Sequence, residues 1–209
     1  MRFSTIFFDL DDTLYPSSTG LWPILKQRMS DYMRNSMGIS AGEIAGLREK
    51  YFRQYGTTLR GLQANHVIDT VDYLAYVHDV QLQDYLTPDP LQRQVIASLG
   101  TRNLVFTNAD SAHTRRVLAA LRLEDLFEAI VDVNAMEPYC KPMPEAFALA
   151  MRIAGESDPS RCVMIDDLPH TTRLARQLGM VGLLYGRGEP GPDADAVFND
   201  WRTLPDLLR

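Results

Sequence analysis

Short apolar runs, each followed at once by polar side chains, recur along this 209-residue chain. The three clearest runs cover residues 6–8, 104–106 and 162–165. Runs of this length and apolarity predict strands buried on both faces, as in a parallel sheet that helices cover on either side. Segments with helical periodicity separate the later runs, and this alternation predicts an α/β fold.

Between residues 15 and 88 helical periodicity replaces the alternation. Three apolar stripes at helical spacing predict three helices, and such stripes favour packing over ligand contact. The stripes are Leu21, Leu25, Met29, Tyr32 and Met33; Ile44, Leu47, Tyr51 and Tyr55; and Ile68, Val71, Leu74 and Ala75. We therefore expect a small helical cap at 15–88, inserted into a core formed by 1–14 and 89–209. The stretch 57–66 is polar and contains glycine, so it is predicted to be a loop between two of these helices.

Two of the apolar runs end in acidic residues. Asp9 and Asp11 follow the first run, and Asp166 and Asp167 follow the last. The carboxyl ends of parallel strands form the ligand-binding edge of an open α/β sheet. Two carboxylates about 4 Å apart repel by roughly 4 kcal/mol at an effective dielectric of about 20, and a cation, a shared proton or a substrate can offset that cost. The alternative is an acidic turn without a function, since aspartate is common in turns.

A hydroxyl and a lysine add candidate groups for binding an anion. Thr107 ends the second run, and Asp110 or Ser111 can cap the helix that follows, whose free N–H groups favour an anion. Lys141 lies in a loop stiffened by two prolines, the second of which suits the first turn of a helix. Taken singly, an ordinary strand-end threonine and a solvated lysine are the alternatives.

The order of these groups is more specific than any one of them. The chain reads Asp-x-Asp-x-Thr from Asp9, then Thr107, then Lys141, and finally the acidic pair at 166–167. This order resembles the haloacid dehalogenase superfamily of hydrolases, and the resemblance spans residues 4 to about 171. It implies a Rossmann-like α/β core with a parallel sheet and an inserted small α-helical cap.

The resemblance also implies a phosphatase that works through an aspartyl-phosphate. Asp9 would be the nucleophile, and Asp11 would protonate the leaving oxygen and then deprotonate the attacking water. Mg²⁺ would be bound by Asp9, by Asp11 through its backbone carbonyl, and by Asp166, while Asp167 would support these ligands from outside. The phosphoryl oxygens would be bound by Thr107, Asn108 and Lys141.

Asp11 distinguishes reactions within the superfamily, because the dehalogenases lack an acid two residues after the nucleophile. Its presence favours phosphate chemistry over carbon–halogen chemistry, and Thr13 also follows the phosphatase pattern. One departure lies beyond the paired acids, where many phosphatase relatives carry Asn or Asp and this chain has Leu-Pro-His-Thr at 168–171. Two interpretations of His170 are open there, a participant in the site or a surface histidine at a helix start.

Weaker local matches indicate a branch of the superfamily. Leu-Tyr-Pro-Ser-Ser-Thr-Gly at 14–20, the segment 55–62, and Phe-Thr-Asn-Ala-Asp at 106–110 with His113 just after resemble pyrimidine 5′-nucleotidases. That resemblance implies hydrolysis of UMP- or CMP-like nucleoside monophosphates. Substrate contacts are then expected from Arg60, Asn65 and His66, with solvated loop residues as the alternative.

Other functions are open for a similar set of residues. A sugar-phosphate phosphatase or phosphomutase would share the nucleophile and the acid, and product analysis separates the mutase from a hydrolase. A phospho-accepting receiver module also combines acids, a threonine and a lysine, but it carries its acidic pair first. A catalytically inactive binding protein is disfavoured because every chemical position is occupied.

Composition limits the partners and the compartment. The net charge is −6 and no basic stripe is present, so no nucleic-acid partner is expected. No apolar run approaches the ~20 residues of a membrane span, and acidic residues interrupt the first run, so neither a membrane segment nor a signal peptide is expected. Two cysteines give no disulfide framework. We expect a cytoplasmic protein that acts on a small phosphorylated metabolite, with the oligomeric state open.

Overall fold

The computed structural model of the protein describes residues 3–209. Within that range one six-stranded parallel sheet runs in the order β3-β2-β1-β4-β5-β6, which confirms the predicted α/β fold. The strands are β1 (Thr5–Phe8), β2 (Arg102–Phe106), β3 (Ala129–Val131), β4 (Cys162–Asp166), β5 (Val181–Tyr185) and β6 (Ala196–Phe198).

Helices precede, connect and follow these strands, and none among residues 3–209 has the length and apolarity to cross a membrane. Capping residues account for several of their ends. Asp110 caps the helix that begins at Ser111 by accepting a hydrogen bond from the N–H of His113, and Gly155 ends the helix that begins at Pro144 in the left-handed conformation. The helices are α1 (Leu21–Asn35), α2 (Ala41–Tyr55), α3 (Thr58–Asn65), α4 (Thr70–His78), α5 (Pro90–Ser98), α6 (Ser111–Leu121), α7 (Pro144–Ala154), α8 (Pro169–Gln177) and α9 (Leu204–Leu207).

The central strands are continuous apolar runs because both faces of the sheet are covered. In β1, Ile6 and Phe8 pack into the apolar layer that includes residues of α5 and α6. Phe7 points the other way and packs into the layer formed with α7 and α8. Strands β2 and β4 alternate in the same manner, so polar side chains are found where these strands end rather than along them.

Helices α1 to α4 have an apolar cluster of their own, which supports the expected cap. The cluster consists of Tyr32, Met33, Ile44, Tyr51, Leu59, Leu62, Tyr73, Leu74, Val77 and Val133. The start of α1 differs, since Leu21 and Leu25 are buried in the layer against the sheet. Because α1 belongs to both clusters and Val133 follows β3, the cap packs on the core, and its boundaries at 15 and 88 stay a prediction.

The prediction of a loop at 57–66 was wrong, because this stretch contains α3. Thr57 caps the helix by accepting a hydrogen bond from the N–H of Arg60 at 3.1 Å. Gly61 has a packing role, since a Cβ built on it would lie 2.1 Å from Cγ of Tyr51 on α2. The glycine that indicated a loop in the sequence therefore permits two helices to approach closely.

We expect Gly61→Ala to lower the free energy of unfolding by about 1–3 kcal/mol, the usual cost of overpacking. The added methyl meets atoms at the base of the Tyr51 side chain, which cannot move aside as a flexible tip would. Urea unfolding followed by circular dichroism measures the change.

Gly46→Ala is the matched control, because Gly46 lies within α2 with no atom within 4 Å of a built Cβ. This substitution should raise the free energy of unfolding by roughly 0.5–1 kcal/mol, since alanine loses less backbone freedom in a helix than glycine. Equal effects of the two substitutions would contradict the close approach of α3 to α2.

Candidate active site

The carboxyl ends of the three central strands bring the predicted side chains to one edge of the sheet. Strand β1 lies between β2 and β4. Asp9 follows β1 directly, and its N–H donates to the carbonyl of Ile165 at 2.8 Å. Thr107 follows β2 and Asp166 ends β4, and all three polar side chains are buried. The order in the sheet thus turns residues distant in sequence into neighbours.

Lys141 joins two of these carboxylates. Its Nζ donates to Oδ1 of Asp9 and to Oδ2 of Asp166, each at 2.6 Å, and the residue is only 4% exposed. Burial lowers the pKa of Lys141, but the two carboxylates outweigh burial and raise it overall. Removing one partner from a buried charge pair typically costs 3–5 kcal/mol, at the order-of-magnitude level. The lysine is therefore a fixed cation, not a solvated surface charge.

The loop that carries Lys141 is aligned from two sides. The N–H of Lys141 donates to Oδ1 of Asn108 at 2.8 Å, and Nδ2 of Asn108 donates back to the carbonyl of Lys141 at 3.0 Å. Both polar atoms of the Asn108 side chain are thus used to hold the loop. On the other side, Sγ of buried Cys140 lies 3.2 Å from the carbonyl of Tyr55 at the end of α2. Burial raises the pKa of the Cys140 thiol.

Three carboxylates gather beside the lysine. One oxygen each from Asp9, Asp166 and Asp167 lie within 4.8 Å of one another. Burial, with Asp166 and Asp11, raises the pKa of Asp9 to about 7 although Lys141 opposes the change. Burial, with Asp9 and Asp166, raises the pKa of Asp167 to about 8. One ammonium does not compensate three acids, and an oxygen-only donor set with this excess negative charge fits Mg²⁺.

Asp11 is not among these three grouped carboxylates. Its Oδ1 accepts a hydrogen bond from the hydroxyl of Tyr15 at 2.7 Å, and Nε2 of His113 lies 3.5 Å from the same oxygen. Burial raises the pKa of Asp11, but the contacts with His113 and Tyr15 outweigh burial, so the pKa is lowered overall. The prediction was that Asp11 binds the metal through its backbone carbonyl, so the position of its side chain outside the group does not bear on that contact. Asp167, expected to act from outside, instead lies with the candidate metal ligands.

The sequence pattern did not predict that Tyr15 and His113 contact Asp11. Asp12 adopts a left-handed conformation with φ of 59°, which aspartate tolerates better than most residues. Asp12 lies between Asp11 and Tyr15, whose side chains form a hydrogen bond. His113 faces the site from the third position of α6 and is 1% exposed. A histidine on the apolar face of a helix was the available signal, but its partner lies about 100 residues earlier in the chain.

Arg60, predicted to contact substrate, is buried and makes its hydrogen bonds within the protein. Its Nη2 donates to the carbonyl of Val133 at 2.6 Å, and its Nε donates to the carbonyl of Tyr139 at 3.0 Å. Burial lowers the pKa of the guanidinium. Arg60 therefore joins α3 to the segment that leads into Lys141.

The other two predicted cap contacts also have protein partners. Nδ2 of Asn65 donates to the carbonyl of Gly61 at 2.8 Å, and Nε2 of His66 shares a hydrogen bond of 2.8 Å with the hydroxyl of Tyr51. The first bond lies within α3, and the second joins the end of α3 to α2. Substrate contact by Arg60, Asn65 and His66 stays a prediction.

His170, in the segment that departs from the phosphatase pattern, packs between the core and the cap. It is the second residue of α8, half-buried, and its ring lies edge-on to Phe52 of α2 with centroids 5.9 Å apart. Burial lowers its pKa. Asp166 is held by the same segment, because its Oδ1 accepts a hydrogen bond from the N–H of Leu168 at 2.9 Å. His170 is therefore a half-buried histidine at a helix start, in contact with α2.

Known proteins resemble this chain in sequence and in fold. A protein from Saccharomyces cerevisiae, "Phosphate metabolism protein 8", is 33% identical to this chain over 193 residues. The match covers 86% of this chain but only 60% of the length of the yeast protein. The fold resembles a HAD phosphatase from Thermococcus onnurineus (TM-score 0.67, 18% identity, covering 98% of this chain and 97% of that one). It also resembles the HAD-hydrolase YfnB of Bacillus subtilis, determined bound to magnesium (TM-score 0.63, 14% identity, covering 100% of both chains).

The sequence profile described as "Hydrolase: haloacid dehalogenase-like hydrolase" matches residues 3–179, which include all four of the motifs identified above. That span contains strands β1 to β4, the edge where the central strands end, and the buried lysine between carboxylates. The chain belongs to the haloacid dehalogenase-like hydrolases.

Proposed function

We propose that the protein is a Mg²⁺-dependent phosphatase that hydrolyses small phosphate monoesters through a phosphorylated Asp9. The observation that carries the proposal is the buried contact of Lys141 with Asp9 and Asp166, beside a third carboxylate. A phosphoryl group adds negative charge, so its site needs a fixed cation. The carboxylates beside that site need a metal that compensates their own negative charge.

Asp9 and Asp11 divide the chemistry between them. A carboxylate oxygen of Asp9 forms a bond to phosphorus while the bond to the ester oxygen breaks, and Asp11 gives that oxygen its proton. Asp11 then takes a proton from water as the water oxygen attacks phosphorus, which frees inorganic phosphate and restores Asp9. Thr13 donates to Oδ2 of Asp9 at 3.3 Å, which orients the nucleophile. Thr107 and Lys141 are proposed to bind the phosphoryl oxygens, on a loop that Asn108 aligns.

The acidic cluster is proposed to hold Mg²⁺. Asp9 and Asp166 with the backbone carbonyl of Asp11 are the expected ligands, and the place of Asp167 in the cluster adds a fourth candidate. When bound, the ion supplies positive charge that screens the carboxylates from the phosphoryl group and stabilises charge in the transition state. Magnesium in the similar Bacillus subtilis structure supports this choice of ion.

The substrate class is proposed to be pyrimidine nucleoside monophosphates such as UMP and CMP. The support is the local resemblance of 14–20, 55–62 and 106–113 to pyrimidine 5′-nucleotidases. Helices α1 to α4 are proposed to act as a cap over the site, which suits a small soluble ester because closure excludes water from the phosphoryl group. The two unpaired cysteines favour a reducing compartment such as the cytoplasm.

Asp9→Asn should abolish Mg²⁺-dependent release of inorganic phosphate, with a loss of at least about 10⁴-fold, because an amide cannot replace the nucleophilic oxygen. Mass spectrometry of acid-quenched wild-type enzyme should locate the phosphoryl group on Asp9. Asp200→Asn, at a solvent-exposed ion pair with Arg202, is the control and should keep wild-type activity. An active Asp9→Asn variant would remove the nucleophile assignment.

Asp166→Asn should raise the Mg²⁺ concentration needed for half-maximal activity by on the order of 10- to 100-fold, since one charged ligand is lost. Calorimetric titration of Mg²⁺ without substrate should show the same weakening, independently of turnover. Asp193→Asn removes an acid whose salt bridge is with Arg173 and should leave both measurements unchanged. Unaltered Mg²⁺ binding in Asp166→Asn would refute the metal assignment.

A panel of phosphorylated metabolites, with and without a chelator, identifies the substrate class. UMP and CMP should give higher kcat/KM than AMP and sugar phosphates, and the chelator should stop release of phosphate. Preference for a sugar phosphate would replace the nucleotide proposal, and an isomerised ester without free phosphate would indicate a phosphomutase.

A further inference from the structure

His113 is a fully buried histidine whose ring nitrogens have no hydrogen-bond partner of normal length within the part of the chain that the structure describes. Unpaired polar atoms in the interior cost free energy, and an apolar side chain would fill the same space without that cost. An acid lies just outside normal hydrogen-bond range, because Nε2 of His113 is 3.5 Å from Oδ1 of Asp11. Packing alone therefore does not account for a histidine at position 113.

His78 fixes the His113 ring from its other side. The two rings are nearly parallel, with centroids 4.1 Å apart and planes 14° from each other. Nδ1 of His78 lies 2.5 Å from Oδ2 of Asp110, and the same Asp110 caps α6 through the N–H of His113. The carbonyl of His78 accepts a hydrogen bond from Arg116 at 2.7 Å. Side-chain and backbone contacts thus hold His78 in place, and it confines the ring stacked on it.

Both neighbours of Asp11 approach the same oxygen. The Tyr15 hydroxyl and the His113 ring face Oδ1, at 2.7 Å and 3.5 Å. Among residues 3–209, Oδ2 accepts no hydrogen bond, and the side chain as a whole is 17% exposed. A carboxyl group held by two contacts at one oxygen presents the other oxygen in a fixed direction, which is what proton transfer to a bound ester requires.

We propose that His113, stacked on His78, is a positioning residue for Asp11, holding Oδ1 so that Oδ2 exchanges the proton with the leaving oxygen. The inference rests on the proposed phosphatase function and deepens it. The 3.5 Å separation agrees with this role, because catalytic contacts are often long without substrate and shorten in the complex. The hydrogen bond from Tyr15 to the same oxygen would by itself leave the carboxyl group free to rotate about that bond. The His113 ring supplies a second contact, which restricts the rotation.

The test compares two esters that differ in their need for an acid. A nucleoside monophosphate such as UMP, or the best alkyl monoester of the panel, leaves as an alkoxide that must be protonated. p-Nitrophenyl phosphate leaves as a stabilised phenolate and needs little help. Alcohol release is measured in a single turnover with enzyme in excess, which isolates the step in which Asp11 acts as the acid.

His113→Phe keeps the ring and the stack but removes both nitrogens. It should slow release of the nucleoside by roughly 10- to 100-fold while nitrophenolate release changes by less than about threefold, because only the first depends on an aligned acid. KM for both esters should be preserved. His113→Gln, which restores a donor near Oδ1, should recover part of the loss, and His78→Phe should give a weaker form of the same pattern.

Two further variants separate positioning from packing. In the Asp11→Asn background, His113→Phe should cause no additional loss, since residues that act as a unit are not additive. Leu118→Ala perturbs a buried position of α6 without removing a polar group and should slow both esters alike or neither.

Equal slowing of both esters by His113→Phe would overturn the inference, as would full additivity with Asp11→Asn or an ester-selective loss in Leu118→Ala. If His113→Phe does not fold, His113→Gln and His78→Phe decide the question, and wild-type behaviour in both refutes it. A wild-type enzyme that releases neither alcohol would overturn the proposed function itself, which is a different result from any of these.

Discussion

The contact of one buried lysine with two buried carboxylates constrains the whole site. Lys141 is 132 residues from Asp9 and 25 from Asp166 along the chain, yet its Nζ lies 2.6 Å from an oxygen of each. In a low-dielectric interior each of these charges is costly unless its partners are in place, so the three segments have to be aligned together. The sheet order supplies the alignment of the two acids, and Asn108 supplies that of the lysine loop.

The lysine does not complete the charge balance. Even with Lys141 in contact, the pKa of Asp9 is raised to about 7, and the pKa of Asp167 to about 8. Such a cluster is unfavourable for stability taken alone, which is typical of sites selected for binding or chemistry. In the proposed function a bound dication would offset the carboxylates, which would leave the lysine to face the phosphoryl oxygens.

The parts of this structure that the sequence predicted are those set by local patterns. The apolar run before Asp9 indicates a buried strand, and the acid at its end marks the ligand edge of the sheet. Asp110, one of the two predicted helix caps, is equally local, since its capping role depends on its neighbours only. The motif order then predicted which strand ends meet, because the topology of the family fixes which strands are adjacent.

The features that the sequence did not predict depend on packing between distant segments. Gly61 illustrates the difficulty, because the same residue suits a loop or a close helix contact, and only the presence of Tyr51 decides between them. His113 is a similar case, since the sequence does not show that its ring stacks on His78 and faces Asp11. The order of motifs indicates the proposed reacting groups, whereas the residues proposed to orient them are brought into place only by the tertiary structure.

The two connections of the helical insertion both reach Asp11. Tyr15, before α1, contacts it directly, and His78, at the end of α4, contacts it through the stacked His113. The same helices reach the segment before the lysine through Arg60, whose hydrogen bonds to Val133 and Tyr139 are to backbone carbonyls. Backbone contacts of that kind tolerate change in the side chains they meet, whereas the contacts to Asp11 are specific to a phenol and an imidazole. A displacement of α1 to α4 would therefore change the contacts that Tyr15 and His113 make with Asp11, whereas the Asn108 contacts of the lysine loop lie outside those helices.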